Sequence, residues 1–196
     1  MKWYQPIECD NTVKNPLVCD FSNLEQLGYN RSVLKQGVFI NDWKESVYFK
    51  AKKKRNEGEP DDALQNYLML PIYSSSLIIA LDKNEIKGMQ YLPIKVINFN
   101  GDCLKGFCIA NILNFIEAFD EEKSDFNRFS EDFPNPNVRG KIAGVKKFVL
   151  KRKNLEGYDI IRLKEYKQRF FVSQKFKDIF EENGFTGYSF IEVELE

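Results

Sequence analysis

The strongest constraint on the fold is a stretch whose pattern occurs twice. Residues 170–191 predict a strand, a helix, a turn and a second strand, in that order. Ser173 suits the helix N-cap, and Gly184 suits the left-handed position that follows a helix C-terminus. Between them, apolar residues recur at helical spacing, which predicts one buried helix face. A left-handed Gly184 would also let Phe185 fold back onto Phe180.

The same pattern is found 99 positions earlier (173 minus 74). Residues 71–92 align with residues 170–191 without a gap, so that Ser74 corresponds to Ser173 and Gly88 to Gly187. Two interpretations are open: an internal duplication of one strand–helix–strand unit, or two independent helices with similar caps between strands.

Length and composition indicate a globular, sheet-rich chain. Of the 196 residues, 43% are hydrophobic and 14% are aromatic, which favours a core of large flat side chains on sheets. We predict an α+β fold, mainly antiparallel, with two to four helices packed on one or two sheets. The length fits a single domain over residues 1–196, or two lobes at about 1–99 and 100–196.

Three further segments carry signals of secondary structure. Residues 60–70 begin with Pro and two Asp, which suit a helix first turn. Residues 89–109 predict a hairpin with a turn at 100–102. Residues 110–126 place apolar side chains at i, i+3, i+4 and i+7, which favours a helix, although their β-branched content leaves a continued strand open.

A polar stripe follows every third position of that last segment. It comprises Asn111, Asn114, Glu117 and Asp120. Carboxylates and amides suit hard cations, so a metal-binding or catalytic interpretation is conceivable. A solvent-facing or hydrogen-bonded side is the simpler explanation of the stripe, and we expect no metal, cofactor or catalytic site.

The composition excludes several classes of site. Because the chain has no histidine, it has no Ser/His or Cys/His nucleophile pair and no His-bearing metal site. Its formal net charge is zero, so no global field attracts nucleic acid or an anionic membrane. No signal-peptide core or membrane-length apolar run is present, which predicts a cytoplasmic protein. The cysteines are not spaced as zinc ligands, and we expect buried thiols: Cys9, Cys19, Cys103 and Cys108.

Charge is segregated along the second half. Residues 117–132 carry seven acids and two bases, whereas residues 139–169 carry eleven bases and three acids. Such blocks form ordinary solvated faces or steer a charged protein partner. The basic run 50–55 is followed directly by the acidic turn 57–62, so a solvated hairpin end accounts for it without a partner.

The second half resembles a known family. The resemblance is carried by a polar run, a strand end and the capped unit after it: Asn111, Asn114, Asp120, Glu122, Lys123, Ser124, Arg162, Leu163, Val172, Ser173, Gly184, Phe185, Thr186 and Gly187. Over roughly residues 71–196, these features resemble an immunity-protein family of bacterial polymorphic toxin systems, the eleventh of that series. Glu117 stands where Asp is expected. The resemblance implies a cytoplasmic, non-enzymatic protein that binds and neutralises a cognate toxin, and it carries over no catalytic residues.

The leading hypothesis is therefore an inhibitor that occludes the active site of a cognate toxin. The even charge balance and the acidic surfaces favour a basic toxin, such as a nuclease domain. Exposed aromatic residues such as Trp43 offer an alternative interface. We predict that an acidic segment makes the contact: Asp120, Glu121, Glu122, Asp125, Glu131 and Asp132.

Two other classes of function stay open. The serines 74–76, with Glu192 and Glu194, are faintly similar to the Ser-rich and Glu-x-Glu elements of ADP-ribosyltransferases. An N-cap and an alternating edge strand explain the same residues. The basic segments 50–55 and 146–153 would serve a nucleic-acid-binding module, whereas the leading hypothesis includes no nucleic acid.

Overall fold

The computed structural model of the protein describes residues 1–8, 16–52 and 59–196. Within them, fifteen strands and two α-helices form two large sheets and two short ones. Seven of the eleven strand pairings among these residues are antiparallel, and four are parallel. The fold is thus mixed and sheet-rich, with the lowest number of helices in the predicted range. Cys9 and residues 53–58 of the charged run and turn lie outside the described residues.

The first large sheet has five strands. They are β3 (Phe21–Ser22), β4 (Tyr48–Lys50), β6 (Ile72–Ser74), β7 (Met89–Ile97) and β8 (Cys103–Ile112), in the spatial order β3-β4-β7-β8-β6. The hairpin predicted at 89–109 is confirmed by β7 and β8, and Gly101 supplies a φ of 95° in its turn. One face of this sheet packs on a core that contains Phe49, Ile94 and Ile109.

The second large sheet joins the N-terminal strand to the C-terminal part of the chain. Successive residues of its strands face opposite sides: Tyr4 and Val172 face a core shared with the first sheet, whereas Trp3 and Phe171 face a separate core. Its spatial order is β12-β15-β1-β14-β13-β9. These strands are β1 (Trp3–Glu8), β9 (Phe115–Ile116), β12 (Val149–Leu150), β13 (Ile160–Leu163), β14 (Phe170–Ser173) and β15 (Tyr188–Leu195).

Two short sheets complete the fold. β2 (Val18–Cys19) pairs in parallel with β5 (Gln65–Asn66). β10 (Asp125–Arg128) pairs in antiparallel fashion with β11 (Ile142–Lys147). We call β10, β11 and the residues between them the arm.

The two helices follow the predicted pattern closely. α1 (Ser75–Lys83) leads from β6 to β7, and α2 (Gln174–Glu182) leads from β14 to β15. Both N-caps are confirmed, because Ser74 Oγ accepts the Leu77 N–H at 3.2 Å and Ser173 Oγ accepts the Phe176 N–H at 3.3 Å. The buried faces of the two helices lie in the core between the large sheets.

The two strand–helix–strand units share one topology. β8 lies antiparallel between β6 and β7, and β1 lies antiparallel between β14 and β15. Their registers agree as well. In the first unit, Phe107 of the middle strand pairs with Ser74 and Ile94, and in the second unit Trp3 pairs with Ser173 and Val193. Each residue of the second pair of partners lies 99 positions after its counterpart in the first. This agreement favours an internal duplication over two independent units.

The helix predicted at residues 60–70 is wrong. This segment holds no helix: it contains β5 and a turn at residues 67–68. Its backbone is committed to tertiary hydrogen bonds, because the Ala63 N–H donates to Thr186 O at 2.9 Å and the Ser74 N–H donates to Asp62 O at 2.8 Å. These bonds override the favourable N-terminal residues.

The helix favoured at residues 110–126 is also wrong, and the alternative of a continued strand holds for the part up to Ile116. Residues up to Ile112 belong to β8, which is paired on both sides, and Phe115 and Ile116 form β9. Between them, the Leu113 N–H donates to Gly88 O at 2.8 Å. Pairing with neighbouring strands thus determines the secondary structure of this segment, although its apolar residues recur at helical spacing.

Candidate functional site

The predicted acidic segment starts in a tight turn before the arm. Asp120 is only 8% exposed. Its Oδ1 accepts the N–H groups of Glu122 and Lys123 at 3.0 and 3.1 Å, and its own N–H donates to Val149 O at 2.9 Å. Asp120 therefore stabilises the turn, and little of its carboxylate reaches solvent.

Two further members of the segment lie beside cations. Glu121 forms an ion pair with Arg128 at 2.5 Å. Asp125 stands opposite Lys147 in the register of the arm. The acidic and basic blocks that are separate in the sequence are therefore interleaved at the arm, because β11 brings the second block alongside the first.

The remaining three predicted residues, Glu122, Glu131 and Asp132, are exposed. The Ser130 hydroxyl and the Asp132 backbone N–H both donate to the Asp132 carboxylate and lower its pKa. Asp132 therefore stays ionised across the neutral range, and the three side chains remain open to solvent.

Next to the arm lies a cavity of about 730 Å³. Its walls are the arm, the loop between β13 and β14, and Ser32. Two smaller cavities, of about 170 and 260 Å³, continue from it along the same loop. Gln168 lines all three, Ser32 and Lys167 line the first two, and Met69 lines the last two. We call the three together the central groove.

The inner part of the central groove lies between the two large sheets. One wall belongs to loops of the first sheet, at residues 31–35 and 67–70. The other belongs to the second sheet, at residues 6–8, 167–170 and 188. The site therefore exists only when both sheets are assembled.

Four cations line the inner cavities: Arg31, Lys35, Lys167 and Arg169. None of them forms an ion pair with another described residue. Glu8 is the acidic residue in the same lining. This part of the groove is therefore basic, although the chain as a whole is neutral.

A fifth cation is buried directly behind these cavities. Arg162 is 0% exposed, and its guanidinium carbon lies 5.8 Å from the centre of the Phe170 ring, which lines the groove. Its Nη1 donates to Lys167 O at 2.6 Å. Its Nε and Nη2 have no partner among the described residues. Burial lowers its pKa to about 10.

Lys35 is a buried cation of the groove whose pKa is lowered. It is 7% exposed, and its Nζ donates to Gln168 Oε1 at 3.4 Å. The pKa of Lys35 is lowered to about 8, first by burial and then by the charges of Arg162, Arg31 and Arg169, against the opposing effect of Glu8.

The polar stripe serves the fold. The side-chain amide of Asn111 donates to Val38 O at 2.8 Å. The side-chain amide of Asn114 donates to Ile160 O at 3.0 Å and so connects the two large sheets. Within the described residues, no three Cys, Asp or Glu side chains are grouped closely enough to hold a metal ion.

The residues of the ADP-ribosyltransferase hypothesis do not form a site. Ser74 caps α1 and donates to Asp62 Oδ1 at 2.6 Å. Glu192 and Glu194 lie on β15, in the other large sheet, and form ion pairs with Lys2 and Lys147 at 2.8 and 2.6 Å.

Two other residues differ from expectation: Trp43, expected to be exposed, and Cys103, expected to be buried. Trp43 is half-buried: its Nε1 donates to Pro93 O at 2.8 Å, and its ring lies 4.7 Å from that of Tyr29. Cys19 is buried, which raises the pKa of its thiol to about 12. Cys103, however, is exposed, because it begins β8 beside the hairpin turn.

Comparison with known proteins adds one positive finding. A family model described as an immunity protein family, Imm11, matches residues 4–195. The match extends the resemblance to residues 4–70, where no motif had indicated it. The comparison with curated proteins gave no match. No helix in the described part of the chain has the length and apolar character needed to cross a bilayer.

Proposed function

Because the chain belongs to the Imm11 immunity protein family, we propose that it binds a cognate toxin and neutralises it by occluding the toxin's active site. The match over residues 4–195 is the observation that carries this proposal. The protein acts by binding alone, in the cytoplasm of the cell that it protects. An interface of ordinary size, about 1,200–2,000 Å², suffices to cover a catalytic cleft.

The acidic segment is one proposed contact. Glu122 is exposed just before the arm, and Glu131 and Asp132 are exposed within it. They would attract a basic toxin, such as a nuclease domain, because complementary charge raises the association rate and suppresses wrong partners. Asp120 and Glu121 would contribute indirectly, since the first holds the turn and the second holds Arg128.

The proposal is tested by affinity capture of the tagged chain from its own bacterium, followed by mass spectrometry. The captured protein is then expressed alone and together with this chain. We expect one stoichiometric partner that arrests growth alone and is harmless in the co-expressing cells. A captured partner that is not toxic, or whose toxicity the chain leaves unchanged, would contradict the proposal.

The charge contact is tested on the same pair. Reversal of Glu131 and Asp132 to Lys should weaken binding about tenfold at low salt and less at high salt, because exposed charges are screened. Glu182→Lys, on the exposed end of α2, is the matched control. If the control and the double reversal weaken binding equally, the acidic segment is not the contact.

A further inference from the structure

The inner part of the central groove concentrates positive charge, with four cations facing one carboxylate, Glu8. Arg31, Lys35, Lys167 and Arg169 line its cavities with no ion pair among the described residues. In the outer cavity, Arg128 is paired with Glu121, whereas Arg139 and Lys141 also have no ion pair among the described residues. Positive charge without an ion-pair partner therefore extends along the groove.

The charge extends into the interior. Arg162 is fully buried, and two of its nitrogens lack partners among the described residues. A buried guanidinium with open donors is costly to the folded protein unless an anion comes close. Burial, together with the charges of Arg162, Arg31 and Arg169, lowers the pKa of Lys35 to about 8 against the opposing effect of Glu8.

The rim of the inner groove carries apolar side chains. Tyr67 is 48% exposed and Met69 is 46% exposed. Met69 adopts a left-handed backbone with φ of 52°, a conformation that is unfavourable for a residue with a side chain. Asn66 imposes it: its Nδ2 donates to Leu70 O at 2.7 Å, and its Oδ1 accepts the Leu70 N–H at 3.1 Å. The fold thus holds Tyr67 and Met69 at the mouth of the cavities.

Tyr, Met and Arg are the residue types enriched where proteins bind one another. Here they surround cavities of about 170 and 260 Å³. Such cavities admit side chains of a protein but are small for a nucleic-acid strand with its bases. An acidic side chain that enters them would meet several cations and be shielded from water, where charge-assisted hydrogen bonds are strongest.

We infer that the inner central groove is a docking site for an acidic segment of the toxin, whose carboxylates reach the cations while its apolar side chains contact Tyr67 and Met69. This inference rests on the proposed function. It adds a second, positively charged contact besides the acidic segment. The toxin would therefore present both a basic and an acidic surface. A groove that blocks the toxin's catalytic acids would explain neutralisation directly.

The test compares three variants against the captured toxin. Lys35→Met and the double variant Lys167→Gln, Arg169→Gln remove charge from the groove. Lys95→Gln with Lys105→Gln is the matched control, because both lysines are exposed on β7 and β8, outside the groove. We expect each groove variant to lose binding at least about tenfold and to lose protection in cells, as for truncation of one partner of a buried pair. The control should bind like the wild type.

Lys35→Met separates binding from folding. Removal of a buried cation from among other cations should leave the thermal unfolding temperature unchanged or higher. Loss of binding in a variant that is at least as stable as the wild type supports docking at the groove. Groove variants that bind the toxin as tightly as the control overturn the inference and leave the proposed function intact.

A second readout does not need a toxin. A fluorescent hexaglutamate peptide and a single-stranded RNA of 20 nucleotides are titrated against the wild type and the same variants at low salt. We expect the peptide to bind the wild type and the control, and to bind the groove variants at least about fivefold more weakly. Equal peptide binding by all variants overturns the inference. RNA binding that is tighter than peptide binding and is lost in the groove variants overturns it in favour of nucleic acid.

Discussion

At the scale of single residues, this chain places charge where it costs stability. Lys35 is nearly inaccessible and lies among Arg162, Arg31 and Arg169, with Glu8 as the opposing charge. Its pKa is lowered from 10.5 to about 8, mainly by burial. In the unfolded chain Lys35 regains its ordinary pKa, so folding releases a proton between these two values.

This shift predicts the pH dependence of stability. Below pH of about 8 Lys35 is charged in both states, and the folded state bears the full cost. As pH rises from about 8 towards 10.5, the unfolded state binds more protons than the folded one, so stability rises. Lys35→Met should therefore be more stable than the wild type by roughly 1 to 3 kcal/mol below pH 8, with a difference that shrinks as pH rises through that range.

Urea denaturation from pH 6 to 10.5 measures the difference. Lys105→Met, at an exposed position of β8, serves as the control and should differ from the wild type by a constant amount. A pH-independent difference for Lys35→Met would show that the folded state leaves the pKa of Lys35 unshifted.

At the scale of elements, the two strand–helix–strand units use equivalent contacts. Asn84 and Asn183 donate from their side chains to the carbonyl oxygens four residues back, at 2.9 and 2.8 Å. The residues after them, Glu85 and Gly184, both have positive φ, at 57° and 67°. Only the second unit therefore uses glycine at this position, and the first accepts a strained residue.

The turn between α2 and β15 also closes against the segment that precedes the first unit. Gly187 has a φ of 106°, and a Cβ built there would lie 2.2 Å from Ala63 O. Gly184 also has a positive φ but has open space around it. Gly184→Ala should cost about 1–2 kcal/mol through its left-handed backbone. Gly187→Ala should cost about 1–3 kcal/mol more, because the backbone at Ala63 must move.

Chemical denaturation of the two variants tests this difference. Equal losses would indicate that the contact between the turn and Ala63 contributes nothing beyond backbone strain.

At the scale of the whole molecule, the two units differ in where their middle strand comes from. In the first unit, β8 follows β7 through a short turn at residues 98–102. In the second, β1 stands in the same place beside β15, with Trp3 opposite Val193. The two ends of the 196-residue chain therefore lie where the second unit would have its hairpin turn.

A circular permutant should exploit this arrangement. A linker of about four residues from Glu196 to Met1 would recreate a hairpin of ordinary length. New ends between Asn100 and Gly101 would open an exposed turn, where a Cβ on Gly101 would meet nothing within 4 Å. We expect the permutant to fold, with stability within about 2 kcal/mol of the parent, since the strand pairings are kept and only loop closure changes.

Near-ultraviolet circular dichroism of the buried Trp3 and thermal unfolding report on the permuted fold. A permutant opened between Ile109 and Ala110, inside β8, should not fold, because that strand is paired on both sides. Similar behaviour of both permutants would refute the equivalence of the β15–β1 and β7–β8 pairs.

The sequence by itself determined the local structure. Ser74 and Ser173 cap their helices, Gly184 ends α2, and the hairpin turns near Gly101. These features depend on interactions within a few residues, so the residue types at fixed spacing suffice to predict them. The repeat at an offset of 99 positions could also be found from the sequence alone, because finding it requires only a comparison of local patterns.

Tertiary structure decided the rest. Residues 111–112 are extended because they pair with β7, and residues 115–116 because they pair with β13. Residues 60–66 are not helical because the Ala63 N–H donates to a turn more than a hundred positions away. The interleaving of the acidic and basic blocks follows from the pairing of β10 with β11. The central groove joins Lys35 and Met69 of one sheet to Arg169 of the other. No local sequence pattern predicts that these residues lie close together, since their proximity depends on long-range burial and strand register rather than on neighbours in the chain.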